Sequence, residues 1–515
     1  MKRFIAPILK RIGFSPTQPK RDYWGAMQNR LTNDWVGAIS TADNEIKSGL
    51  KTVRARVREL ERNNDYVRRY FKLLENNVLG HCGVGLQMKI REFVKDGGKF
   101  VEQYDDRANS MIEDAWEKWG MYDKCTIGKK LCWMDLQRLA LRSTARDGAV
   151  LIRKHYPKDN PFRFSLEPIE ADHLDTNYEA RLPNSYVRLG IEYDMQGAVV
   201  AYHIFSEHPG DTFQPSAMNG RYRERVPASQ MIHLYMPDRF GQGDGMPWLV
   251  SSMVGLKHLD AYYEAEVIAA RAGASKFSVY ENIPGMAPVP YEGQPDSNGN
   301  IQESYTAGTI GNAPYGKTLK QIDPTHPSTA FPDFVKAMLR KYSSGLGVSY
   351  SSMANDYSDV NFSSLRGALL EEREEWKSIQ GWFINWLIQP IFNEWLTTAL
   401  SFGAITDNGQ TLPAAKMDKF NKPEWKPRRW DWVDPLKDLQ ANVLAVEKGF
   451  KSRRQIISEN GGDIEDTFAD IEADEVLAED HDLDFDKEAT ASMAANEQQQ
   501  TPDAPDDPAL TKPKS

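Results

Sequence analysis

Apolar residues recur at helical spacing through residues 43–80, where Leu50, Val53, Val57 and Leu60 share one stripe, until the glycines of NNVLGHCGVG interrupt the run. A second helix is predicted over DRANSMIEDAWEKWG and a third over WMDLQRLALRSTARDG. The period then changes. Between Ala149 and Met236 the runs AVLIRKH, FRFSLEPI, VRLGIEYD, AVVAYHIFSEH and MIHLYM are short, β-branched or aromatic, and parted by Asn, Pro and Gly. They predict a β-rich unit, with a hairpin turning at Asp194–Gly197 in GIEYDMQGAVVAYHIF.

Helical spacing returns over residues 249–272, through Met253, Leu256, Leu259, Tyr263 and Val267. Residues 280–327 are rich in Pro and Gly and read as turns and short strands. A further helix over 328–343 carries Phe331, Phe334, Val335, Met338, Leu339 and Tyr342. GLGVSYSSMANDYSDVNFSS reads as a polar loop. It leads into the longest helical pattern, Leu365 to Leu400, with a core stripe of Leu369, Trp376, Ile379, Phe383, Trp386 and Trp395 and a kink expected at Pro390. Residues 403–475 read as a smaller, mainly helical unit. Residues 1–30 read as a mobile arm.

Length and composition narrow the class. With 515 residues, 40% of them apolar and 26% charged, the chain has the makings of about three globular units. No apolar run reaches the roughly 18 residues of a membrane span. The short run Phe4 to Leu9, interrupted by Pro7, falls below a secretion signal, so a cytosolic product is expected. Cys82, Cys125 and Cys132 are too few and too unevenly spaced for a disulfide framework or a structural zinc site.

Charge is distributed unevenly. Residues 459–515 hold eighteen acidic side chains against Lys487, Lys512 and Lys514, and so net −15, whereas the whole chain nets −10. Such a tail cannot bury enough apolar surface to order itself. Residues 1–72 net +9, concentrated in KTVRARVRELERNNDYVRRYFK. That segment is either a solvated helix face or a contact for nucleic acid, and composition does not choose.

Two catalytic motifs invite testing. GNAPYGKT, Gly311–Thr318, satisfies the phosphate-loop pattern and would put Lys317 and Thr318 on a phosphate and its Mg²⁺. A working loop needs a buried strand before it and a helix after it. Here QESYTAGTI is polar, and Pro324 and Pro327 stop any helix. IEADHLD brings Glu170, Asp172, His173 and Asp175 together, a conceivable metal cluster, but a turn after a strand explains it more simply. His203, His208 and His233 lack a paired ligand spacing. No catalytic residue, metal or cofactor is assigned.

Six stretches, taken in order, resemble the tailed-phage portal proteins of the lambda type: NNVLGHCGVGLQMK, RDGAVLIR, EADHLD, GIEYDMQGAVVAYHIFSEHPGD, VPASQMIHLYMPDRFGQGDGMPWL and GLGVSYSSMANDYSDVNFSSLRGALLEER. One position departs. Asp244 stands where the family more usually has Arg in a Q-x-R-G run, so the pairing made by that Arg is absent or replaced.

The resemblance implies an α+β portal-type fold. It divides the chain into an N-terminal arm (1–39), a mixed α/β wing (40–248), a stem helix (249–279), a small clip insertion (280–327) and a second stem helix (328–343). A tunnel loop (344–362), a long helix at the wing and crown junction (363–402), a mainly helical crown (403–475) and a disordered acidic tail (476–515) complete the set. Function follows as an expectation: a non-enzymatic ring, generally of twelve copies, at one capsid vertex, passing double-stranded DNA during packaging and ejection. Expected partners are the terminase large subunit, a major capsid or scaffold protein and a head–tail adaptor, without a membrane. The product would reside in the virion and, during assembly, in the host cytoplasm. The residues implied for the tunnel loop are Ser352, Asn355, Asp356, Tyr357, Ser358, Asp359 and Asn361, and those for the channel face of the stem are Lys257, Lys336, Arg340 and Lys341. Two alternatives stand beside this reading: a nucleotidase using Gly311–Thr318, and a sequence-independent DNA-binding protein using residues 51–72.

Overall fold

A computed structural model of the chain describes residues 30, 37, 39–96, 99–211, 222–274, 277–285, 315–322, 330–358, 360–407, 409–430, 435–459, 462 and 464–480. Most of the expected arm, the middle of the insertion and the tail beyond residue 480 lie outside them. The architecture is α+β.

Residues 43–80, read from the sequence as one helix, form two, α1 (Ala42–Asn63) and α2 (Asp65–Val78). The break is at Asn64. Its extended backbone donates its N–H to Leu60 and closes α1, while its side-chain oxygen accepts from the Val67 amide at 2.9 Å and opens α2. After β1 (Gly85–Met88) and the hairpin β2 (Arg91–Asp96) and β3 (Lys99–Tyr104) come α3 (Asp106–Trp119) and α4 (Trp133–Asp147). Both helices match the apolar spacing. Asp105 caps α3, and Cys132 caps α4 in a reciprocal box with Asp135.

Gly148 ends α4 in the left-handed conformation and starts the β-rich unit. One antiparallel sheet has the order β11 (Met231–Tyr235), β4 (Ala149–His155), β5 (Ser165–Glu170). The other is a meander of β6 (Ala180–Arg181), β7 (Ser185–Arg188), β8 (Ile191–Asp194), β9 (Val199–Phe205) and β10 (Arg223–Pro227). The hairpin expected at Asp194–Gly197 is present: the Asp194 carboxylate accepts from the amides of Gln196 and Ala198, each at 2.8 Å, and Gly197 takes positive φ.

The expected pair of long helices is α5 (Met253–Ala274) and α6 (Phe331–Gly345). Between them the described part of the insertion is an antiparallel pair, β12 (Phe277–Asn282) with β13 (Lys317–Ile322). The long helical pattern begins as α7 (Phe362–Phe383), widens into a π-helical turn at Ile384–Ile388, and continues as α8 (Gln389–Ser401) with Pro390 in its first turn. The irregularity sits in the turn just before the proline, where a helix running on through Pro390 must adjust to its missing N–H and its ring. Its stripe packs the core through Trp376, Ile379, Phe383, Leu387 and Trp395. Trp386, expected in that stripe, is exposed, because it lies one position, about 100° of helix, from the buried row.

The core centres on an aromatic cluster. Trp116 stands 4.7 Å from Trp119, 4.9 Å from Trp395 and 5.4 Å from Phe392, centroid to centroid, so α3 and α8 are locked together by large rings. The packing does not stop at residue 403, where the sequence suggests a separate unit. β14 (Thr406–Asp407) and β15 (Gln410–Thr411) make a small hairpin, Phe420 joins the main core, and β16 (Pro423–Lys426) pairs antiparallel with β1. Gln380 on α7 ties the return in place, donating to the carbonyls of Val78 and Arg428. Beyond it follow α9 (Pro435–Glu447), α10 (Arg453–Glu459) and α11 (Ile464–Asp480). No described helix is long and apolar enough to cross a membrane.

Candidate functional site

Charged and hydroxyl side chains gather where α6 meets the loop that follows it, beside α5. α5 and α6 approach closely at one point, because a Cβ on Gly255 would lie 2.4 Å from the Tyr342 ring. Only glycine permits that contact. Beside it an open apolar groove of about 460 Å³ is lined by His258, Leu259, Tyr262, Phe334, Met338 and Tyr342.

The loop is more ordered than its composition suggests. Tyr350–Ala354 is a short helix, capped by Ser349 and ended by Asn355 in the left-handed conformation. Asp356 then gathers partners. Its Oδ1 accepts from the Ser358 amide at 3.0 Å and the Ser358 hydroxyl at 2.6 Å, and its Oδ2 accepts from the Tyr350 hydroxyl at 2.7 Å. The Lys336 ammonium on α6 is 3.9 Å away, and the Arg340 guanidinium lies over the Tyr350 ring at 5.4 Å. The Ser358 bonds, then Tyr350 and Lys336, hold the Asp356 carboxyl down at about 2.

Not every expected site residue joins this cluster. Ser352 does not face open space: it is buried, and its hydroxyl donates to Glu372 at 2.9 Å. The helix that replaces the expected loop turns it inward. Asn361 caps α7 by accepting from the Ser364 amide, and Tyr357 and Lys341 are exposed. Lys257 reaches back to Glu59 on α1 at 3.2 Å. Asp359 lies outside the described residues. Glu372 and Tyr350, which organise the loop, were not singled out in the sequence. The only signal for Glu372 there is that a Ser-rich turn requires an acceptor.

Of the eight cations in segment 51–72, Arg54, Arg58 and Arg69 are spent on internal bonds, whereas Lys51, Arg56, Arg62, Arg68 and Lys72 are exposed. Arg54 is buried, donating to the Asp147 carbonyl at 2.6 Å and the Asp244 carboxylate at 3.0 Å. Arg58 bonds Asp147 at 2.7 Å and Asp172 at 2.5 Å, and Arg69 donates to the Ser352 carbonyl. Asp244 also accepts from His233 at 3.2 Å and from the Gly245 amide at 2.8 Å. Burial pushes its carboxyl up, but the Arg54 charge and the His233 bond prevail and hold it at about 2. The partner for the departing position is thus Arg54.

The carboxylate and histidine cluster is rearranged. Glu170 and Asp172 meet His208, with ligand atoms all within 4.8 Å of one another. His173 instead bonds the Phe205 carbonyl, and Asp175 takes Arg223. Arg58 stands on Asp172 with its charge already in place, so the cluster is built as an ion-pair network. Lys317 and Thr318 open strand β13 opposite Asn282 and Glu281. Strand, not a helix N-terminus, follows them through Ile322, and residues 311–314 of the motif lie outside the described residues. Burial pushes the Cys125 thiol up, which keeps it inert.

Among family models, that of the phage portal proteins of the lambda family matches residues 28–380. A probable portal protein of Halomonas phage phiHAP-1 is 33% identical over 473 residues, covering 89% of this chain and 88% of the relative. Portal protein B of Escherichia phage lambda is 20% identical over 468 residues, covering 84% and 85%. Among solved structures, a chain from the neck of an empty gene transfer agent (GTA) particle is similar with a TM-score of 0.41 and 13% identity, over 79% of this chain and 93% of that one.

Proposed function

This chain belongs to the lambda family of phage portal proteins, and from that premise we propose that its copies close into a ring of twelve at one capsid vertex, enclosing the channel through which double-stranded DNA is packaged and ejected. The observation that carries the reading is the family match, which runs unbroken from before α1 through α5, α6 and the loop and into α7.

The geometry supports a conduit rather than a clamp. Duplex DNA presents about one charge per 1.7 Å, so a lining that bound each phosphate tightly would arrest the strand. Two of the three cations on α6 are answered locally, Lys336 by Asp356 and Arg340 by the Tyr350 ring, while Lys341 is exposed. A mixed, partly neutralised lining lets the polyanion slide. In this reading α5 and α6 form the stem, β12 and β13 the base of the clip, residues 344–362 the tunnel loop, and α9 to α11 the crown. Chemistry is left to others: a terminase large subunit hydrolyses ATP, a capsid or scaffold protein holds the rim, and a head–tail adaptor docks below. The ring assembles in the host cytoplasm and remains in the virion.

Electron microscopy of the purified protein tests this. Rings with a countable rotational symmetry are expected, and monomers or dimers alone at every salt concentration would overturn it.

A further inference from the structure

The loop between β11 and α5 carries a contradiction. Phe240 has a relative exposure of 108%, the highest of any large apolar side chain among the described residues. The backbone that presents it is nevertheless tightly fixed. Gln242, itself buried, accepts from the amides of Asp238 and Arg239 at 2.9 and 3.1 Å and donates through Nε2 to the Asp244 carbonyl at 2.8 Å. Tyr235 donates to the Gln242 carbonyl, and the Gly243 amide donates to Asp43 at 2.7 Å. Arg239 holds Glu45 at 2.9 Å and the Ser40 carbonyl at 3.1 Å. An apolar ring held out on a rigid frame has had its ordering entropy removed in advance, which is the property of a docking anchor.

The same chain offers a socket. The groove between α5 and α6 is apolar and open, and its walls include Tyr262 and Phe334, already edge to face at 5.3 Å, ready to receive a further ring. Loop and groove lie at one end of α5: the loop runs into its first turn, and the groove opens on Gly255 to Tyr262. A closed ring also needs two unlike, complementary surfaces on every copy.

Resting on the ring reading above, we propose that Phe240 of one copy seats in the α5–α6 groove of the next copy, making a heterologous contact repeated around the ring.

The test uses the full chain, with ring formation followed by light scattering and electron microscopy. Phe240→Ala is expected to raise the concentration for half-maximal ring formation at least about tenfold, and Phe240→Asp further. The melting temperature of the unassembled chain should stay unchanged, because the Phe240 side chain is fully exposed. In a Cys82→Ser background, Phe240→Cys combined with His258→Cys should give an oxidative ladder of cross-linked copies, with neither single variant doing so. Phe240→Asp rings that form with unchanged concentration dependence, or a double variant whose rings give no ladder, would overturn the contact while leaving the ring reading intact. A wild type that never forms rings overturns both.

Discussion

Arg54 and Asp244, 190 positions apart, meet at 3.0 Å with neither side chain reaching solvent. The pair joins α1 to the loop that leads into α5, and it also fixes His233 on β11. Breaking one side of a buried pair is costly, because the other charge is stranded. Arg54→Met is therefore expected to lose about 3–5 kcal/mol in urea denaturation. Arg54→Met with Asp244→Leu should recover a large part of that loss, since no buried charge is left behind.

Acid should loosen the β-rich unit in a defined window. Glu192 is buried under Arg225, which bonds it through two nitrogens at 2.7 and 3.1 Å, and also takes bonds from Ser185 and His203. Those bonds, Arg225 foremost, lower its pKa from 4.5 to about 2. Because the folded value is depressed, the stabilisation is complete above about pH 4.5 and disappears as pH falls toward 2. Asp244 acts in the same direction between 3.8 and about 2. Stability measured against pH should fall through that range in the wild type and fall less steeply in Glu192→Gln.

Glycine substitutions should separate by what a methyl group would meet. A Cβ on Gly245 would lie 2.0 Å from the Gly148 carbonyl oxygen, where two backbones cross. Gly245→Ala should cost roughly 3 kcal/mol or more in thermal denaturation. On Gly49, inside α1, a Cβ meets nothing within 4 Å, so Gly49→Ala should add about 0.5–1 kcal/mol.

Calorimetric titration with MgATP should give no heat, in the wild type and in Lys317→Ala alike, because Lys317 starts a strand and not a helix. A measurable affinity abolished by that substitution would restore the nucleotidase reading.

Deletion of residues 480–515 should leave ring assembly unchanged by electron microscopy, since so acidic a segment contributes repulsion rather than packing. Loss of rings would refute this.

Helices with a single apolar stripe and a glycine stop, such as α3 and α4, were legible in the sequence, as was the hairpin whose turn Asp194 and Gly197 dictate. What escaped depended on partners distant in the chain. Lys336 and Asp356 read as a stem cation and a loop acid, and only the reversal after α6 makes them one cluster. Ser352 looked like loop because Ser and Asn favour turns, but the Glu372 acceptor stabilises a helix there. The basic stretch 51–72 gave no sign that Arg54 would be buried, since the carboxylate it needs lies near residue 244. The return of β16 to β1 was equally silent, because four residues of edge strand carry almost no periodicity.

That return has a bearing on timing. Gly85 pairs with Lys426, so the first described strand to leave the ribosome waits for the last described strand before its edge is covered. Contacts between such remote segments form slowly. A nascent copy therefore cannot complete its fold, or offer finished surfaces to its siblings, until the segment around Lys426 has been made, which delays closure of any assembly until far-advanced subunits are present.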